Sequence, residues 1–295
     1  GGFGIDCSFI SRNFKQADYV ERQSGLCELA LHNFPLLGLG HIRIHNRDGI
    51  SYLQEMLPVD CLFLDPARRD GHGGKTVAIS DCEPDVTVLE PLLVDKAKKV
   101  MVKLSPMLDL SLALNELKTV RAVHIVAVNN ECKELLLILQ KESVSSEVSI
   151  HCEHIAGNGE SRHYTFTLKQ EKTSPCLLAD EVGTYLYEPN AAILKAGAFR
   201  SLTQTYPVAK LHLNSHLYTS VSLVPDFPGR RFRVEAVSGF GKKELKAFLM
   251  DMDKANITIR NFPLSVAELR KRLKLEEGGD DYIFATTLSG GQKVL

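Results

Sequence analysis

The apolar positions of this chain fall into short runs that switch between a strand-like and a helix-like period. Cys61-Leu62-Phe63-Leu64 is unbroken between Asp60 and Asp65, the pattern of a parallel strand buried on both faces. Ala17-Asp18-Tyr19-Val20 predicts an earlier strand ending in Glu21, and His41-Ile42-Arg43-Ile44-His45 alternates as the next, delivering Asn46-Arg47-Asp48-Gly49. Between them, Leu26, Leu29 and Ala30 share a face of a helix expected from Ser24 to about Asn33, stopped by Pro35 and Gly38. Val100-Met101-Val102-Lys103 and Val123-His124-Ile125-Val126-Ala127-Val128 predict further strands, with a helix after Pro106 between them and another from about Glu131 to Leu139. Strands around Ser149 and Phe166 are joined as a hairpin through Ala156-Gly157-Asn158-Gly159-Glu160-Ser161. Strands alternating with helices imply an α/β fold with a parallel sheet.

That order places candidate chemistry on one edge. Glu21, Asp48 and Asp65 each stand at or just past the carboxyl end of a strand, where open α/β sheets bind ligands. Pro66 fixes its own φ and biases Asp65 towards extended backbone, so the turn leaving that strand is stiff. Gly1-Gly2-Phe3-Gly4 is an incomplete glycine fingerprint ahead of a helix N-terminus, and Glu21 follows Gly4 by seventeen residues. That spacing suits a nucleotide-binding fold whose carboxylate meets ribose hydroxyls. No strand feeds the glycine loop. The chain therefore reads as a fragment lacking its first parallel strand, expected to need that strand for folding and for cofactor binding.

Composition narrows the class. Hydrophobic content of 44% and charge of 24% suit a soluble globular protein, and a net charge of −1 gives no global pull towards nucleic acid or membrane. The seven cysteines are scattered without a Cys-x-x-Cys pair, which implies reduced thiols and a cytoplasmic location. Gly73-Gly74-Lys75-Thr76 ends like a P-loop, but Arg69 stands where the first glycine is required. His151-Cys152-Glu153-His154 lies on a predicted strand whose neighbours face opposite sides, so no metal site is expected there.

From about Glu171 the periodicity breaks, and Thr173-Ser174-Pro175 marks a boundary. A small unit follows, with a helix from Ala191 to Phe199 and a strand at Lys210-Leu211-His212-Leu213. After Pro228-Gly229 come a strand over Arg231–Val237, a helix from Lys242 to Met252 and a strand at Ile257-Thr258-Ile259. Ser265-Val266-Ala267-Glu268 is a capping box opening a helix that carries Arg270, Lys271, Arg272 and Lys274. From Val221 to Leu295 there are 13 Lys and Arg against 10 Asp and Glu, so the positive excess is small but clustered. Such a cluster either faces solvent or meets a phosphate backbone.

Taken together, Gly-Gly-Phe-Gly, Tyr19-Val20-Glu21, Asn46-Arg47-Asp48 and Leu64-Asp65-Pro66-Ala67-Arg68-Arg69 resemble the class I S-adenosylmethionine-dependent methyltransferase fold. More narrowly, the chain resembles the bacterial family that couples such a domain to a THUMP-like C-terminal domain. The narrower likeness rests on Leu64–Asp70, Lys103-Leu104-Ser105-Pro106-Met107-Leu108-Asp109, Tyr187-Glu188-Pro189-Asn190 continuing to Gly197, and Gly278-Gly279-Asp280-Asp281-Tyr282.

The resemblance implies three parts: a Rossmann-like methyltransferase sheet over residues 1–170, a small ferredoxin-like unit over 171–225 and a THUMP-like domain over 226–295. It implies S-adenosyl-L-methionine as cofactor, with Gly1, Gly2 and Gly4 near the methionine part, Glu21 on the ribose and Asp48 beside the adenine. Asp65, also expected to touch the cofactor, would with Pro66 and Arg68 form the catalytic turn lining the methyl-transfer pocket. THUMP-like domains are associated with RNA, so tRNA or rRNA is the expected partner, met through Arg270, Lys271, Arg272 and Lys274.

Departures from relatives limit the chemistry. Amino-group methyltransferases resemble Asp/Asn-Pro-Pro-Tyr here, whereas this chain has Ala67 and Arg68. Carbon methylation of a pyrimidine needs a cysteine nucleophile after the following strand, and Leu104-Ser105-Pro106 supplies none. Pro175-Cys176 lies far from that core. The runner-up reading is a non-catalytic RNA-binding module that has kept the fold. A nicotinamide-dependent oxidoreductase shares the glycine loop but does not account for the Asp65 turn.

Overall fold

The structure, a computed structural model, describes residues 1–68, 78–141, 147–250 and 252–295. Two compact units emerge: Gly1–Val123 with Leu135–Ser146, and His124–Glu134 with Glu147–Leu295.

The first unit opens with the glycine loop and α1 (Ile5–Ile10), then β1 (Ala17–Glu21), α2 (Ser24–Leu36), β2 (Ile42–Asn46) and α3 (Gly49–Glu55). β1 and β2 pair in parallel from Ala17↔Ile42 to Glu21↔Asn46. Their inner face buries Tyr19 and Ile42 against Cys27, Ala30 and Phe34 of α2. That helix face differs from the expected one: Leu29 is 48% exposed, because the stripe that meets β1 is Cys27-Ala30-Phe34 at helical spacing. Pro35 is accommodated in the last turn, and Gly38 at φ 73° closes the helix.

β3 (Val59–Leu64) follows, then the short pair β4 (Ala67–Arg68) and β5 (Cys82–Glu83), α4 (Val86–Lys96), β6 (Ala97–Leu104) and α5 (Leu110–Glu116). β3 and β6 are parallel, with Leu64 opposite Val102. β3 is half-buried rather than buried on both faces, because β6 is its only paired neighbour among the described residues. Likewise, the β1–β2 pair forms a sheet of its own, so the parallel strands stand in two blocks.

β7 (Val120–Val128) and β8 (Glu131–Leu139) form a hairpin divided between the two units. β8 corrects the helix expected over Glu131–Leu139. Asn129 and Asn130 take φ of 50° and 62°, the left-handed pair that a two-residue hairpin turn requires. The chain is thereby returned as a strand antiparallel to β6, burying Leu135, Leu137 and Leu139 completely. Tertiary pairing overrides the helical preference of a leucine-rich run.

In the second unit β9 (Ser149–Ile155) and β10 (Ser161–Thr167) make the expected hairpin, followed by α6 (Leu168–Thr173). Next come β11 (Tyr185–Pro189), α7 (Ala191–Ala196), α8 (Ser201–Thr205), β12 (Ala209–Lys210), β13 (Tyr218–Ser220) and β14 (Gly229–Arg233). These four strands form an antiparallel sheet in the order β12-β13-β11-β14. α7 is shorter than expected because Gly197 at φ 74° ends it, and the strand expected at 210–213 stops at Lys210. The strand expected over 231–237 is β14, shifted towards Gly229 by its pairing with β11.

The last layer contains α9 (Lys242–Phe248), β15 (Asn256–Arg260), α10 (Val266–Leu273), β16 (Tyr282–Thr287) and β17 (Lys293–Val294). Leu186, Leu211 and Leu217 pack with Phe284, Leu288 and Val294, so this layer shares a core with the four-stranded sheet. The Glu188 carboxylate, 3% exposed, is gripped by Arg230 and Arg260, at 3.0 Å from Arg230 Nε and 2.7 Å from Arg260 Nη2. This gives the Tyr187-Glu188-Pro189-Asn190 motif a physical role: Glu188 ties β11 to β14 and β15, while Asn190 caps α7 through Ile193 N–H.

Candidate functional site

The glycine loop is held by the end of β1. Glu21 Oε2 accepts from Gly2 N–H at 2.8 Å, Oε1 accepts from Gln23 N–H at 2.9 Å, and the Tyr19 hydroxyl donates to Gly2 O. Gly4 sits at φ 76°, and a Cβ on it would lie 2.7 Å from the Phe34 ring, so only glycine fits there. Gly1 is as tight against Glu21 and Tyr19, whereas Gly2 at φ 57° faces open space. Burial acts to raise the Glu21 carboxyl, but the N–H groups of Gln23 and Gly2 outweigh it and hold the acid below its usual range. Burial pushes the Tyr19 phenol up to about 12, so it stays a donor.

Asp48 is placed differently from Glu21. It caps α3, accepting from Ser51 N–H at 2.9 Å and from the Ser51 hydroxyl at 3.1 Å, and that backbone bond is the main cause of its lowered pKa.

Asp65 stands at the end of β3 with its side chain 49% exposed, while Pro66 is buried. The neighbouring strand supplies what sequence reading missed: Lys103 Nζ lies 3.0 Å from Asp65 Oδ2 and 2.9 Å from Asp6 Oδ2. Burial acts to lower the Lys103 pKa, but hydrogen bonds to Asp6 and Asp65 prevail and raise it above its ordinary value. The signal was present in Lys103-Leu104-Ser105-Pro106, a charge ending an apolar strand beside the Asp65 strand. Arg68 belongs to β4, whose backbone pairs with Cys82; its side chain, Arg69 and Gly73-Gly74-Lys75-Thr76 lie outside the described residues.

The four basic residues near α10 divide into two kinds. Arg270 donates to Ala255 O at 3.1 Å and to Glu276 O at 2.7 Å, and the Arg272 guanidinium stacks 4.0 Å from the Phe240 ring centroid. Lys271, Arg272 and Lys274 are all exposed, with Lys274 closing the helix at φ 58°. Elsewhere, His151 stacks on His124 at 4.5 Å, and His154 Nε2 accepts from Asn130 N–H at 3.1 Å. Among the described residues no cluster of ligating side chains suits a metal ion, and no helix is long and apolar enough to cross a membrane.

The fold is a methyltransferase-type α/β architecture with two small C-terminal domains. Residues 185–228 match a ferredoxin-like domain family, and residues 229–295 match a THUMP domain-like family. The crystal structure of a candidate methyltransferase from Porphyromonas gingivalis W83 is 36% identical, with a TM-score of 0.88 over 100% of this chain and 74% of that one. The chain belongs to the family of that Porphyromonas protein. A modification subunit of a candidate type I restriction enzyme from Vibrio vulnificus YJ016 is 11% identical over 57% of this chain and 46% of that one, with a TM-score of 0.33, and carries no argument. No curated protein matches.

Proposed function

We propose that this chain belongs to an enzyme that transfers a methyl group from S-adenosylmethionine to structured RNA, tRNA or rRNA. The observation that carries the reading is that Lys103 pairs both with Asp65 at the end of β3 and with Asp6 of α1, the helix that directly follows the glycine loop anchored by Glu21. The residues fit the cofactor. Each Glu21 oxygen accepts one N–H, and a carboxylate takes about four such bonds, so capacity remains for ribose hydroxyls. Gly1, Gly2 and Gly4 would lie along its methionine part, and Asp48, beyond β2, beside its adenine. When bound, S-adenosylmethionine supplies an electrophilic methyl on a sulfonium that leaves as a neutral thioether.

The protein's own task is then positioning, since an in-line displacement needs the acceptor held in line more than it needs covalent help. Asp65 accepts a hydrogen bond from the acceptor, and the proton lost on methylation passes to water. The THUMP-like family match supports RNA as the acceptor.

The test has two arms. Nucleoside mass spectrometry of RNA from a strain lacking the gene should miss one methylated nucleoside, restored by wild type but not by Asp65→Ala. Asp65→Ala protein should keep its RNA affinity. An unchanged nucleoside profile refutes the enzyme reading and favours a binding module.

A further inference from the structure

Lys103 does more than the transfer reading uses. Because Leu64 pairs with Val102, Asp65 and Lys103 are the next residues on adjacent parallel strands and emerge side by side. Lys103 also reaches the first turn of α1, so one ammonium contacts Asp65 at 3.0 Å and Asp6 at 2.9 Å. Asp65 belongs to the side proposed to face the acceptor, and α1 follows the loop proposed to hold the cofactor.

We propose that Lys103 is a positioning residue that couples the cofactor loop to Asp65 and sets that carboxylate to receive an acceptor N–H or O–H. The proposal rests on the transferase reading. Two carboxylates within reach of one nitrogen repel each other once the ammonium is gone, and Asp65, half-exposed, would then turn to solvent. Lys103 itself is only 20% exposed, which limits competition from water. Its raised pKa keeps it a cation, so it holds groups rather than removes protons. Asp65 Oδ2 is taken by Lys103, while Oδ1 makes no hydrogen bond among the described residues. A carboxylate accepts hydrogen bonds and donates none, so Asp65 selects a donor, hence an acceptor nitrogen or oxygen bearing hydrogen.

The experiment uses full-length protein, S-adenosylhomocysteine as the binding probe, and RNA from the deletion strain for single-turnover transfer. Lys103→Met should lower the rate about 10²-fold with the KM for RNA little changed, and Lys103→Arg should recover much of it. In calorimetry, Asp65→Asn should weaken the probe severalfold in the Lys103 background and have no effect in the Lys103→Met background. Should Lys103→Met fail to fold, Asp6→Asn tests the same link: the rate falls and thermal stability stays. A Lys103→Met rate within threefold of wild type, or identical Asp65→Asn effects in both backgrounds, overturns the proposal. Wild type that binds the probe but methylates no RNA refutes the transferase reading alone, and the binding cycle still decides the coupling. Wild type that does not bind the probe overturns both.

Discussion

Glu21→Ala should weaken S-adenosylmethionine binding by about 1.5–3 kcal/mol, the worth of hydrogen bonds to a charged acceptor and roughly a 10- to 150-fold rise in Kd. The side chain is 10% exposed and its two oxygens hold Gly2 N–H and Gln23 N–H at 2.8 and 2.9 Å. Alanine therefore both frees the glycine loop and removes the ribose acceptor. Glu21→Gln separates these effects. The amide keeps the bulk and one acceptor oxygen, but its NH2 must face Gly2 N–H or Gln23 N–H, a donor against a donor, so an intermediate loss is expected. The sign with pH follows from the lowered Glu21 pKa. Its contribution to stability is present above the unfolded carboxyl value and is lost as pH falls through the depressed folded value. Calorimetry above pH 7, with thermal melts of both variants down the acid limb, provides the assay. Unchanged cofactor affinity in a well-folded Glu21→Ala would falsify the assignment of β1 to the cofactor.

Two further outcomes are expected. His216, stacked on Phe199 at 3.7 Å with φ 53°, is held down to about 4 by burial and by nearby Lys210 and Arg260. Acidification from about pH 6.5 towards 4 should therefore destabilise the second unit, since only the unfolded chain gains that proton, and His216→Asn, which tolerates the left-handed backbone, should flatten the dependence in urea titrations. Lys271→Ala with Lys274→Ala should lower RNA affinity and reduce the salt slope by about 1–2 at unchanged stability, whereas Arg270→Ala should lower the thermal midpoint; RNA binding indifferent to the lysine pair removes them from the interface.

Elements whose period is set within a few residues were legible. β1, β2, β3 and the β9–β10 hairpin follow from alternation, apolar runs and turn glycines. The failure at Glu131–Leu139 has a definite cause. Leu135-Leu136-Leu137-Ile138-Leu139 suits a helix or a buried strand equally, and the choice is made by Asn129-Asn130, whose paired left-handed backbone folds the chain back beside β6. α2 shows a subtler limit. Leu29 and Leu31 were as hydrophobic as the residues that became buried, yet the smaller Cys27 and Ala30 bring the helix close to Tyr19, and Phe34 meets that ring edge-on at 5.4 Å.

Site residues divide along the same line. Glu21, Asp48 and Asp65 could be singled out as candidates because each stands at or just past a strand end, and strand ends are local properties. Their partners could not be named, since Lys103 lies near Asp65 only once Leu64 and Val102 are in register, and Asp6 joins them only once α1 has packed. Register also decides what the basic run near α10 can do. Arg270 donates to two backbone carbonyls and the exposed Arg272 stacks on an aromatic face, whereas Lys271 and Lys274 stand exposed beside them. A count of positive charges therefore overstates what that helix offers to phosphate, and the same packing that engages Arg270 and Arg272 fixes where the two lysines stand.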